Sequence, residues 1–207
     1  ESKIVDGILN YFYGSPKQIV DFPEITVYVK DYSLAETSFM TLQLLERLWE
    51  EENLYCVEAS AIADNDKCIL ILGRPRSGKT LLALSLYQEG FDFVSNENTV
   101  INPVTLEIHG GTKILNIKKF YWDKIEPSIK QLTRYQPTDY KDHATYLVDM
   151  RKMPRIKQKC KIGVITEVYI YPTSGEGNLS YLDEFYVRDR LIDFPTALIR
   201  GCYSSYN

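Results

Sequence analysis

Apolar positions along the 207-residue chain change period several times, and each change marks an element. EITVYVKDYS, at 24–33, alternates apolar and polar residues, which predicts a strand. Over 35–53, Phe39, Leu42, Leu45 and Leu48 or Trp49 recur at helical spacing, with charges gathered at the far end, which predicts a helix. LYCVEASAIA, the polar turn DNDK and CILIL follow as strand, tight turn and strand, a hairpin pattern. A leucine-rich helix is predicted over 79–88, with Gly90 as its stop. FDFVS and NTVINP are short strands. LEIHGGTKILNI, at 106–117, reads as a second hairpin turning at Gly110 and Gly111. Residues 120–145 are polar, carry Pro127 and Pro137, and show no clear period. ATYLVDM and KIGVITEVYIYP have strand composition, and the stretch before Pro195 has room for one short helix.

Composition narrows the class. The hydrophobic fraction of 44% and charged fraction of 25% fit a globular domain with an ordinary core. The length suits one domain with a short lead-in, so we expect a lead-in segment over 1–53, packed on a main domain over 54–207. Tyrosine is abundant, at 16 residues, which favours strands. A net charge of -4 argues against a general nucleic-acid binder, which would be basic. Cys56, Cys68, Cys160 and Cys202 include no Cys-x-x-Cys pair, so neither a zinc site nor a disulfide framework is expected, and Cys68 reads as a plain core residue. No apolar run approaches the roughly 20 residues of a membrane span. The stretch ESKIVDGILNYFYG lacks the basic start and apolar run of a signal peptide. A cytoplasmic location without membrane contact is the expectation.

The chemistry concentrates at 73–80. GRPRSGKT matches G-x-x-x-x-G-K-[ST] in full, between an apolar strand and a helix. Gly73 lets the chain leave the strand sharply. Gly78 lets backbone N–H groups close on phosphate, and those groups with the helix N-terminus form an anion nest. Lys79 is placed to reach the β- and γ-phosphates, and the Thr80 hydroxyl to ligate Mg²⁺. Arg74, Pro75, Arg76, Ser77 and Leu81 complete the expected nucleotide-binding set. The two arginines read either as phosphate contacts or as solvated surface.

Most such loops follow a strand of a parallel sheet, but here only DNDK separates the loop strand from its predecessor. A parallel crossover needs a dozen or more residues. The hairpin, the loop, the Leu/Ala helix, Gly90, and a strand ending in Asn96 and Glu97 together resemble the HPr kinase/phosphorylase family, whose fold is shared with phosphoenolpyruvate carboxykinase. The resemblance covers about 54–117 and, more thinly, 159–172. It implies an α/β, P-loop nucleotide-binding domain with a mixed, largely antiparallel sheet. It further implies an ATP- and Mg²⁺-dependent kinase that phosphorylates a hydroxyl, serine in the family, and it admits a homo-oligomer.

Two residues depart from the family pattern. Asn96 and Glu97 stand where the family carries adjacent aspartates, and Glu58 stands where it often has a histidine. Glu97 is a candidate for metal binding and for proton removal from the attacking hydroxyl. Asn96 can hold a metal or water but cannot take a proton at neutral pH. Glu58 either restores the second acid or is an exposed strand residue. The expected catalytic set is Glu97, Lys79 and Glu58, and the expected metal set is Thr80, Glu97 and Asn96. Asp149, at the end of an apolar run, is a competing acid of the Walker B type.

The acceptor is open: a peptide, a protein or a small molecule. The family's carrier-protein specialists have an amino-terminal domain for which the residues before the hairpin are too few. RKMPRIKQK, at 151–159, reads as a solvated basic loop or as a clamp for an acidic acceptor or the nucleotide. A catalytically degenerate, nucleotide-responsive regulatory module is the second reading. A GTPase is disfavoured by the lack of an N-K-x-D run.

Overall fold

A computed structural model describes residues 48–131, 133–135 and 145–169, with isolated positions 42, 45, 46, 180, 181, 183 and 186. The strand expected over 24–33 and the helix before Pro195 lie outside the described residues. Within the helix expected over 35–53, the described positions are helical up to residue 51, and Leu45 and Trp49 are buried.

The fold is mixed α/β with a mostly antiparallel main sheet. Its strands are β1 (Tyr55–Glu58), β2 (Ser60–Asp64), β3 (Lys67–Leu72), β4 (Asp92–Ser95), β5 (Asn98–Asn102), β6 (Glu107–Gly111) and β10 (Cys160–Glu167), in the order β1-β5-β6-β10-β3-β2-β4. β10 runs parallel to β3, and every other pairing is antiparallel. The β2–β3 hairpin appears as its sequence predicts, with Asn65 at φ 51 in its turn.

The edges of this sheet are not independent strands. β1 and β2 are one strand broken at Ala59, and β4 and β5 are one strand broken at Asn96 and Glu97. Antiparallel register continues through both breaks, from Ala63↔Asp92 and Ala61↔Ser95 to Glu58↔Asn98 and Tyr55↔Ile101. The sheet therefore closes on itself as a small barrel, which removes exposed edges. Alternation assigns the two faces. Ala59, Ala61, Ala63, Leu70, Leu72, Val94, Ile101 and Ile108 fill the inside, where three alanines suit a narrow interior. Ile62, Ile71 and Phe93 point outward against Ala83, Leu84 and Tyr87 of α1 (Lys79–Gln88).

A second sheet, ordered β7-β9-β8, covers the other side of α1. It comprises β7 (Ile114–Lys118), β8 (Thr133–Tyr135) and β9 (Thr145–Asp149). Leu115, Ile117 and Val148 join α1's cluster, with Ile125 and with Ile129 of α3 (Pro127–Lys130); α2 (Lys119–Trp122) follows β7 directly. α1 is thus apolar on more than one side because it is packed on more than one side. It ends as predicted: Gly90, at φ 111, donates to Tyr87 O, and Phe91 N donates to Leu86 O. α1 has no basic residue in its last turn. Arg155 supplies one from elsewhere, donating to Tyr87 O at 2.5 Å with its guanidinium over the Tyr87 ring, a favourable place for a cation.

Two sequence expectations are corrected. Residues 106–117 are not a hairpin: Gly110 and Gly111 lie inside β6, paired with Val100 and Thr99, while β7 pairs with β9 in the other sheet. A Cβ on Gly111 would stand 2.2 Å from Asn98 O, so the glycine there permits close strand approach rather than a turn. The basic run is not a free solvated loop. Arg151 pairs with Asp149, Arg155 caps α1, Lys157 lies 3.7 Å from Asp66 and 3.9 Å from Asp92, and Lys159 pairs with Glu107 at 3.1 Å. It is a strap stitched to several elements. Cys68 is buried in the core of the main sheet, as expected, and the parallel β3–β10 pairing brings it to 6.0 Å (Cα–Cα) from Cys160. No helix among the described residues is long and apolar enough to cross a membrane.

Candidate functional site

The 73–80 loop leaves the end of β3 and enters α1. Gly73 sits at φ 154, and a Cβ there would lie 2.2 Å from Ser77 Oγ and 2.8 Å from Val168 O. The tight exit from the strand thus requires glycine. Gly78, at φ 103, is the N-cap of α1, with no side-chain cap on the helix's first N–H groups. Ser77 is 8% exposed, and its hydroxyl has no hydrogen-bond partner. Buried polar atoms are usually paired, so this orphan within the loop suits a ligand that supplies the missing bond.

Lys79 is buried and turned back into the loop. Its ammonium donates to Gly73 O at 2.6 Å, Glu58 Oε1 at 3.1 Å and Arg74 O at 3.2 Å, which uses all three donors of a lysine. Glu58 is therefore neither remote from the loop nor a bystander. Its side chain keeps 30% of its surface exposed, at the point where β1 ends.

Asn96 and Glu97 occupy the break between β4 and β5. Asn96 is fully buried, and its Oδ1 accepts from Ser60 Oγ at 2.8 Å and from Thr80 Oγ1 at 2.9 Å. Its Nδ2 donates to Ile114 O at 3.4 Å. The Ile114 carbonyl, which can only accept, sets which way the amide points, and the two hydroxyls donate to the oxygen that remains. Glu97 sits at φ 65, and its carbonyl accepts from Ala59 N at 2.9 Å. Its side chain is exposed, yet desolvation by surrounding protein raises its pKa, with Glu58's charge adding and Lys79's charge opposing. The structure thus gathers Glu58, Lys79, Thr80, Asn96 and Glu97 around one loop. Pro75 is exposed, as are Arg74 and Arg76, and Leu81 lies in the first turn of α1.

Asp149 is built differently. It is buried at the end of β9 in the second sheet, with both oxygens 2.8 Å from the Arg151 guanidinium and one also accepting Arg151 N. The strand beside the loop strand, and parallel to it, is β10. It ends in Glu167, paired with Leu72 one residue before the loop, and Glu167 accepts from the phenols of Tyr169 and Tyr186. Sequence reasoning missed Glu167, although IGVITE is itself an apolar run closing in an acid. It also missed the support beneath Asn96: Ser60, Gly111, and Thr99, which bonds Ser95 Oγ and donates to Ala59 O.

Lys113 lies behind the same turn, fully buried, donating to Val94 O and, at 2.9 Å, to Lys157 O. Desolvation pushes its pKa down to about 7. The unfolded chain therefore binds the extra proton between about pH 7 and 10.5, so stability rises with pH across that window. Thermal melts from pH 7 to 9 should show this rise, at no more than about 1.4 kcal/mol per pH unit, and Lys113→Met should flatten it. An equal slope in the variant would assign the effect elsewhere.

No protein-family model and no curated protein matches the chain. Among solved structures it is similar to the Hpr(Ser) kinase/phosphatase from Coxiella burnetii, with a TM-score of 0.34 and 15% identity, over 62% of this chain and 65% of that one.

Proposed function

We propose that this protein is an ATP-dependent kinase that transfers the γ-phosphate to a hydroxyl of a peptide, protein or small molecule. The observation that carries the reading is the placement of the Lys79 ammonium inside a loop of full phosphate-binding pattern, flanked by Glu58 and Glu97. Phosphoryl transfer asks mainly for positioning and charge neutralisation. The loop amides and Lys79 would hold the phosphates, and Glu97, its proton affinity raised by desolvation and by the Glu58 charge, would accept the proton of the attacking hydroxyl.

The residues also fit Mg²⁺. It takes hard oxygen ligands, and the Thr80 hydroxyl keeps a lone pair for it while donating to Asn96 Oδ1 at 2.9 Å. Thr80 and Glu97 would hold the ion, which supplies charge neutralisation at the phosphates; the Asn96 oxygen is already taken by the Ser60 and Thr80 hydroxyls. Asn96 accepts the Thr80 hydroxyl and so orients it.

A second reading, a regulatory module that binds nucleotide without transfer, is favoured by one observation: the buried residue beside Thr80 is a neutral amide already bonded to Ser60 and Thr80. Incubation with γ-labelled ATP and a cell extract separates the two. A labelled acceptor that disappears in Glu97→Gln supports the kinase. Nucleotide binding with no transfer to any acceptor supports the module.

Glu58 stands on Lys79 where a phosphate oxygen would. Incoming phosphate must displace it, and its charge opposes the approach. Glu58→Gln should therefore tighten ADP binding about three- to tenfold, the size of a partly exposed ion pair. Titration calorimetry reads this directly, and weaker binding in the variant would overturn the competition.

A further inference from the structure

Arg74 and Arg76 differ from the other basic side chains near the site. Arg151, Arg155, Lys157 and Lys159 are each engaged by a named partner, and Lys79 has its three bonds. Among the described residues, no hydrogen bond or ion pair engages the guanidinium of Arg74 or of Arg76, and both are exposed. Arg76 is further marked by its backbone. It sits at φ 70, between Pro75 and Ser77, in the left-handed region that disfavours an L-residue and costs glycine nothing. Strain of this kind gathers at working loops.

The position of the arch narrows its partner. Lys79 reaches back to the carbonyls of Gly73 and Arg74, so the 74–76 arch lies beside the ammonium, and buried beneath it is the unpartnered Ser77 hydroxyl. In the reading proposed above, that ammonium meets the β- and γ-phosphates. A terminal phosphate there also approaches the carboxylates of Glu58 and Glu97, and needs positive charge to offset them. A guanidinium presents a planar fork of donors matched to phosphate oxygens.

We propose that Arg76 grips the terminal phosphate of a bound nucleoside triphosphate, so that the loop distinguishes triphosphate from diphosphate. This rests on the nucleotide reading of the loop, and the test keeps the two apart. Calorimetry with Mg²⁺ would compare ADP with a non-hydrolysable ATP analogue on wild type, Arg76→Lys and Arg76→Gly. Wild type should prefer the triphosphate. Arg76→Gly should lose about tenfold or more in affinity for the analogue and less than twofold for ADP, with Arg76→Lys between. Its melting temperature should hold or rise, because glycine relieves the backbone. An unchanged analogue-to-ADP ratio, or equal losses for both ligands, overturns the role of Arg76. Wild type that binds neither nucleotide overturns the nucleotide reading itself, before any Arg76 variant is needed.

Discussion

Lys79→Ala is expected to weaken ADP and ATP binding by about 100-fold or more, beyond the reach of ordinary titration. A charge-assisted contact to phosphate is worth about 1.5–3 kcal/mol, and the same change leaves Glu58 beside the phosphates with nothing to offset it. The variant should also melt earlier, by about 1–3 kcal/mol of stability. Gly73 O and Arg74 O lose the donor that ties the loop shut, and Glu58 loses its partner. Calorimetry and thermal melts on the same preparations measure the two effects. A Lys79→Ala protein that binds ADP as wild type does would remove the basis of the kinase proposal and of the module reading alike.

Gly111→Ala is expected to be the most damaging small substitution in the described core. A Cβ there meets Asn98 O at 2.2 Å, Ser95 Cβ at 2.8 Å and Thr99 Cα at 3.0 Å, and φ is 144. Two of these three neighbours are backbone, in the strand that carries the Asn96–Glu97 break, so they cannot swing aside. The cost should exceed about 3 kcal/mol, the range reserved for strain and overpacking together. Any folded fraction should bind nucleotide poorly, because the turn that places Asn96 against Thr80 is displaced. Gly90→Ala is the control. Its φ is also positive, at 111, but nothing lies within 4 Å of the added carbon, so it should lose only about 1 kcal/mol. Equal losses in urea denaturation would show that backbone conformation, not the close approach beneath the turn, dominates at Gly111.

Much of the site was legible because its signals are local. The loop, α1 and the strand after Gly90 follow one another in sequence, and turn chemistry and period mark each boundary. Glu58 could be named but not weighed, since its contact with Lys79 spans 21 residues. Asp149 had the sequence form of a metal acid, and Arg151, two residues on, closes it. Glu167 had the same form and drew no notice, because nothing local says which strand lies beside the loop strand. The hairpin expected at Gly110 and Gly111 failed for a related reason. A glycine pair looks the same whether it turns the chain or lets two strands approach.

The sequence alone determined the strand–loop–helix unit, the glycines that make its bends possible, and the Lys79 ammonium and Thr80 hydroxyl set on it, because these depend on backbone freedom and spacing within a few residues. Only the tertiary structure decided the rest. Register between distant strands closed the barrel at Ala59 and Asn96–Glu97, set β10 parallel to β3, brought Cys68 beside Cys160, and delivered Glu58 to Lys79. Pairing between strands is fixed by the packing of both faces at once, and no short stretch of chain contains that information.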